Sequence, residues 1–150
     1  MKAKFIIRRA CIKDIENILK VENESFGSDM FSRSQFTYLI NKSKGAFYIA
    51  VIDSNIAGYM CLLSHSMHKN IRIYSIAVLS EYRSIGIAGA FISKAKEIAV
   101  SENKIGISLE VRKDNLPAIK LYKKNGFHIS SVKMQYYNDL TSAYYMQLAI

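Results

Sequence analysis

A chain of 150 residues, half hydrophobic and 22% charged, fits one globular domain over residues 1–150 and excludes a disordered or collagen-like protein. The formal net charge of +9 points to anionic partners, but no basic run is longer than Lys123-Lys124, so the excess reads as a solvated surface rather than a nucleic-acid groove. Cys11 and Cys61 are too few for a disulfide framework or a cysteine zinc site and read as small buried hydrophobes in a reducing, cytoplasmic setting. No apolar run approaches the ~20 residues that span a bilayer, and the apolar stretch near Met1 is too short for a signal peptide.

The elements follow in chain order. Phe5 to Arg9 reads as a first strand. Ile15, Ile18, Leu19 and Phe26 recur at helical spacing, which predicts a helix from Lys13 to about Ser25. Ser32 and Gln35 form a capping-box pattern ahead of Phe36, Leu39 and Ile40, predicting a second helix that ends near Asn41. The period then changes. Ala46 to Ile52 and Ile56 to Leu63 read as a hairpin about the turn Asp53-Ser54-Asn55, and Ile71 to Leu79 as a further strand. A helix opens after Gly86 and runs to about Ser101. Ile105, Ile107, Leu109 and Val111 alternate with Gly106, Ser108, Glu110 and Arg112, the period of a strand with one apolar face. Asn115 caps a helix that tolerates Pro117 in its first turn and stops at Gly126. Phe127 to Tyr137 and Ala143 to Ile150 finish as strands. The order predicts an α+β domain built on a mixed sheet.

Chemistry concentrates in the segment from Ile76 to Ala90. A strand ends, a loop with Arg83, Gly86 and Gly89 follows, and a helix begins. Free backbone N–H groups at a helix N-terminus make an anion site, and glycine lets a phosphate approach the backbone. The alternative is that Gly86 and Gly89 only allow tight packing of helix on sheet. Neither a P-loop nor a dinucleotide glycine pattern is present. His65 and His68 form H-x-x-H without a third ligand and read as loop histidines, so no metal is expected.

The loop has the form Arg83-x-x-Gly86-x-Ala88, and it resembles the pyrophosphate-binding signature of the GNAT superfamily of acetyl-CoA-dependent N-acetyltransferases. A second run, Leu109-Glu-Val-Arg-Lys-Asp-Asn-Leu-Pro-Ala-Ile-Lys-Leu-Tyr-Lys-Lys-Asn-Gly-Phe127, is similar to that of the RimI-like and archaeal N-terminal (Nα) acetyltransferases. The resemblance implies a mixed sheet of about seven strands flanked by four helices, and acetyl-CoA as cosubstrate. Ile76, Ala77 and Val78 would lie along the pantetheine arm, with a backbone N–H near Val78 on the thioester carbonyl. Ser84, Ile85, Gly86, Ile87, Ala88 and Gly89, after Arg83, would wrap the pyrophosphate, and Asn115 would contact the cosubstrate near its thiol. Glu110 matches the family's general base and Tyr122 its general acid.

The same resemblance implies a protein or peptide N-terminus as acceptor, with association to the ribosome as an extension of that expectation and no membrane partner. Phe26 and Phe31 on one side, and Tyr136 and Tyr137 on the other, would form the acceptor groove. Met30-Phe31 stands where these enzymes carry Pro-Trp, and Ser142 where they carry an acid. Three alternatives stay open from the residues themselves. Glu110 could be an exposed charge paired with Arg112 on the same strand face. The acceptor could be a lysine or a small-molecule amine. The chain could be a non-catalytic basic module that binds nucleic acid.

Overall fold

The computed structural model describes residues 4–26, 31–42 and 46–150. Along the chain these form β1 (Ile6–Arg9), α1 (Ile15–Phe26), α2 (Arg33–Lys42), β2 (Ala46–Ile52), β3 (Asn55–Leu63), β4 (Asn70–Val78), α3 (Ile87–Ser101), β5 (Gly106–Arg112), α4 (Leu116–Lys124), β6 (His128–Lys133) and β7 (Ala143–Ala149). The strands make one sheet in the order β1-β2-β3-β4-β5-β7-β6. Only the β4–β5 pair is parallel. The expected mixed sheet of seven strands with four helices is therefore the observed fold.

Both faces of the sheet are covered, which is why β2 and β3 are buried almost end to end. On one face Ile71, Ile73, Leu109 and Met146 pack with Phe91, Ile92 and Ala95 of α3 and Tyr122 of α4. On the other, Phe47, Ile49 and Tyr59 pack with Ile18 and Val21 of α1 and Phe36 and Leu39 of α2. Phe36 stands edge-on to both Phe47 and Tyr59 at 5.7 and 5.5 Å, the geometry in which a ring edge meets a neighbouring π-face. Glu24 of α1 accepts a 2.6 Å hydrogen bond from Ser80 Oγ, tying that helix to the loop after β4.

The parallel pairing stops early. Residues 70–73 of β4 face 106–109 of β5. Beyond that point β4 continues along β3 alone, while 110–112 of β5 continue along β7. A bulge lies at the parting. Cys61 faces Ser75 and Leu62 faces Ile73, so Tyr74 is an extra residue on β4. A bulge strengthens local twist and resets which way side chains point. Ile71 and Ile73 face α3, and after the bulge Ile76 and Val78 do so. Ala77 and Tyr74 join the α1/α2 core instead.

Four boundaries or environments differ from expectation. β6 ends at Lys133, not Tyr137, because Gln135 adopts φ +51° and the chain folds into a turn closed by Tyr137 N–H on Thr141 O at 3.1 Å. β4 stops at Val78, since Leu79 opens a 3₁₀ turn over Ser80–Tyr82. A 3₁₀ turn over Ile12–Asp14 precedes α1, pinned by a two-pronged Arg8–Asp14 ion pair at 2.9 and 3.0 Å that holds the Asp14 carboxyl below its ordinary range. Cys11 sits at the start of that turn and is exposed, not buried; Cys61 is buried as expected, which pushes its thiol up to about 12. Met30 lies outside the described residues.

Gly58 keeps β3 and β4 together where β4 has lost β5. A Cβ there would meet the carbonyl oxygen of Ala77 at 2.5 Å. Gly58→Ala is expected to cost about 1–3 kcal/mol, as overpacking does, and to lower Tm by roughly 2–4 °C per kcal/mol for a chain of this size; a thermal melt checks it.

Candidate active site

The parting of β4 from β5 opens two cavities that meet in the gap. The first, of about 800 Å³, runs from β4 to the N-terminus of α3. Gly86 caps that helix at φ +98°, a backbone conformation that glycine adopts without a steric penalty. Ala90 N–H closes the first helical bond, on Gly86 O at 3.0 Å. The amides of Ile87, Ala88 and Gly89 precede it and so have no intrahelical acceptor. A Cβ on Gly86 or on Gly89 would meet nothing within 4 Å. These glycines therefore do not serve close packing of helix on sheet; they leave room beside a row of amide donors, which is what a pyrophosphate needs.

Every residue expected to hold the cosubstrate lines this cavity: Ile76, Ala77 and Val78, then Arg83 and residues 84–89, then Asn115. Arg83 Nε donates to Val78 O at 3.0 Å, folding the loop back onto the strand end. Leu79 N–H is bonded to Ala57 O at 2.8 Å. Alternation along a strand then turns the amides of Val78 and Ile76 to the edge that β5 has left. Asn115 Oδ1 accepts from Ala118 N–H at 3.3 Å and caps α4, leaving its amide NH₂ for a ligand. Tyr82 and Lys124 line the cavity as well, though neither was expected to hold the cosubstrate.

The second cavity, of about 830 Å³, lies on the other side of the gap. Phe26, Phe31, Tyr136 and Tyr137, the two expected edges of an acceptor groove, line it together with Glu110 and Tyr122. Phe31 stacks on Tyr74 with centroids 5.1 Å apart, and Tyr136 meets Tyr137 edge-on at 5.0 Å. Arg112 fixes the second edge. It bonds Asp139 at 2.6 Å and Thr141 Oγ1 at 3.0 Å, and lies 4.9 Å from the Tyr137 ring.

Ser25, Phe26, Ile76, Asn115, Ala118 and Tyr122 line both cavities, so they mark where the two contents would touch. Burial pushes the Tyr122 phenol above its ordinary pKa, and nearby Tyr137 adds to the shift. Ser25 Oγ is buried there without a hydrogen-bond partner. An unmet hydroxyl costs stability unless something occupying the cavity satisfies it.

Glu110 is not paired with Arg112. Its Oε2 takes Arg72 Nε at 3.0 Å and a second guanidinium nitrogen at 2.7 Å, and its Oε1 takes Lys133 Nζ at 2.9 Å. Arg72 also bonds Tyr136 Oη at 3.0 Å, which joins this network to the aromatic edge. Arg72 and Lys133 were missed because they come from other strands. A lone arginine inside the apolar run of β4 was the available signal for the first. Glu22 was also missed. It is 1% exposed, in α1, and lines the second cavity; a buried carboxylate on an apolar helix face was its signal.

The family model described as the acetyltransferase (GNAT) family matches residues 12–127. The chain belongs to the GNAT acetyltransferase family. It is 30% identical to an N-alpha-acetyltransferase of Sulfurisphaera tokodaii, over 95% of this chain and 92% of that protein. It is also 30% identical to a putative ribosomal protein bS18-alanine N-acetyltransferase of Bacillus subtilis, over 93% and 91% respectively. The crystal structure of Ard1 from Thermoplasma volcanium superposes with a TM-score of 0.89 at 26% identity, over 97% of each chain. The chain is thus an acyltransferase of this family. Among the described residues, no helix is long and apolar enough to cross a membrane.

We propose the first cavity as the site of acetyl-CoA, the cosubstrate of this family, and Gly86 tests that placement. Gly86→Val puts a branched side chain at φ +98°, a strained conformation of order 1–3 kcal/mol. The variant should fold with a lowered Tm and lose the rise in Tm that millimolar acetyl-CoA gives the native protein by linkage. Differential scanning calorimetry reads both.

Proposed function

We propose that this enzyme transfers the acetyl group of acetyl-CoA to the α-amine of a protein or peptide N-terminus, by direct attack in a ternary complex. The observation that carries the reading is the meeting of an anion-binding cleft and an aromatic-edged cavity at one gap in the sheet, with Tyr122 on both. The relatives named N-alpha-acetyltransferase and ribosomal protein alanine acetyltransferase support the choice of acceptor. The relative that acts on a ribosomal protein favours a ribosomal protein or nascent chain as that acceptor, met in the cytoplasm.

The pantetheine arm lies along the free edge of β4, as an added strand would. The Val78 amide donates to the thioester oxygen and holds the negative charge that develops there. The amine lone pair forms the new N–C bond, and the C–S pair leaves on sulfur. Tyr122 donates its proton to that sulfur; burial keeps the phenol protonated across the working pH range. Glu110 accepts the proton that the nitrogen loses as the bond forms, with Arg72 and Lys133 fixing its position. Glu110 and Tyr122 then exchange that proton and are reset. Tyr136 and Tyr137 face Phe26 and Phe31 across the cavity and hold the first residues of the acceptor between them.

Three measurements test this. Peptides with free N-termini should be acetylated, while the same peptides with blocked N-termini and free lysines should not; comparable rates would put a lysine or small-amine acceptor in its place. Glu110→Gln and Tyr122→Phe should lower kcat by about 10²–10⁴-fold, the usual size of a general acid or base contribution, with KM for acetyl-CoA near the native value. Tyr137→Ala should raise KM for peptide and spare KM for acetyl-CoA.

A further inference from the structure

An α-ammonium group must lose two protons to become an amide, and Glu110 with Tyr122 accounts for one. A second polar system reaches the same cavity from beneath. Both oxygens of Glu22 are engaged: Oε2 accepts from Phe31 N–H at 2.7 Å, and Oε1 accepts from the Tyr59 hydroxyl. Tyr59 Oη lies 2.7 Å from Ser75 Oγ. Ser75 lines the acceptor cavity, on the far side of the bulge at Tyr74. Tyr59 itself is fully buried.

The direction of this chain is determined by its end. A carboxylate only accepts, so the Tyr59 O–H must point at Glu22. Tyr59 Oη can then only accept from Ser75, which uses up the single proton of Ser75. What Ser75 presents to the cavity is a lone pair. We infer that Ser75, Tyr59 and Glu22 form a proton-accepting chain that binds the acceptor's α-ammonium at Ser75 Oγ and takes its first proton inward to Glu22. Ser75 would touch the substrate; Tyr59 and Glu22 act through it as positioning residues. The step balances: N–H to Ser75 Oγ, Ser75 O–H to Tyr59, Tyr59 O–H to Glu22. The amine is left neutral with its lone pair free, and Glu22 as the neutral acid returns the proton to solvent after product leaves.

The environment suits the task. Burial raises Glu22 above the ordinary carboxylate range, against the opposing effect of its two donors, which brings its affinity for a proton nearer that of an amine. Burial and Glu22 push Tyr59 well above its usual value, so it relays a proton without resting as phenolate. Facing the chain from β3 is Cys61, kept a thiol by burial, and from β4 are Tyr74 and Arg72, the latter held by Glu110. From β5 comes Glu110, between its two cations, and from α4 the buried Tyr122. Across the cavity stand Tyr136, Tyr137 and Asp139, and Arg112 holds Asp139 low.

The inference rests on the α-amine reading above, and the pH dependence of kcat/KM for a free-amine peptide separates the two. With the chain intact the enzyme uses the ammonium form, and activity persists below the amine pKa of about 7.7–8.0. Ser75→Ala, whose side chain borders the cavity and so leaves the fold intact, should confine the enzyme to the neutral amine. The loss should be about 20-fold at pH 6.5 and under ~2-fold at pH 8.5, from that amine pKa. Tyr59→Phe should give the same profile. Glu110→Gln should instead lower activity at all pH values. A Ser75→Ala loss that is equal at every pH, or no loss, overturns the chain alone. Failure of the native enzyme to acetylate any free-amine peptide overturns the acceptor assignment and the chain with it.

Discussion

The parallel pairing of β4 with β5 ends at Ile73 and Leu109, and everything this molecule does follows from that termination. A strand that leaves its neighbour exposes a row of unpaired amides and carbonyls, normally a liability in a sheet. Here the exposed edge is walled by α3 and α4 on one face and by α1 on the other, so it becomes a slot and not an aggregation site. The extra residue at Tyr74 twists β4 away at the point of parting. In the proposed reaction, cosubstrate and acceptor would approach that slot from opposite faces of the sheet, and the gap would let their reactive atoms meet.

The polar groups beside the gap divide into two systems with different electrostatics. Glu110 is surrounded by cations and sits in a network that crosses three strands, from Arg72 of β4 to Lys133 of β6, which passes over the ring of Tyr145 at 5.0 Å. Among the described residues a phenol and a backbone amide, not a cation, hold Glu22. Burial raises Glu22 against the opposing pull of those two donors, which strengthens it as a proton acceptor. Phe31 N–H on Glu22 also ties the aromatic floor of the acceptor cavity to the same carboxylate.

The cosubstrate half of the site was legible in the sequence because its chemistry is local. A strand end, Arg83, Gly86 and a helix start are consecutive in the chain, and backbone amides at a helix N-terminus need no distant partner. The alternation of β5 likewise placed Glu110 on the side of the strand away from Leu109. The acceptor half was less legible because its partners come from across the fold. Arg112 lies two residues from Glu110 on one strand face, yet Asp114 and Asp139 claim it, and Glu110 takes cations from β4 and β6. The bulge at Tyr74 carries no glycine or proline to announce it. Without it, Ser75 would share a face with Ile73 and could not reach Tyr59. The strand drawn to Tyr137 failed for a similar reason: Gln135 takes a left-handed conformation that its neighbours do not signal.

The central claim is that acetyl-CoA supplies the strand that β5 withholds. Amide hydrogen exchange resolved by NMR, with and without acetyl-CoA, tests it directly. The amides of Ile76 and Val78 should slow markedly on addition of acetyl-CoA, while that of Leu79, already bonded to Ala57, should change little. Binding that leaves Ile76 and Val78 exchanging at their free rate would contradict the account.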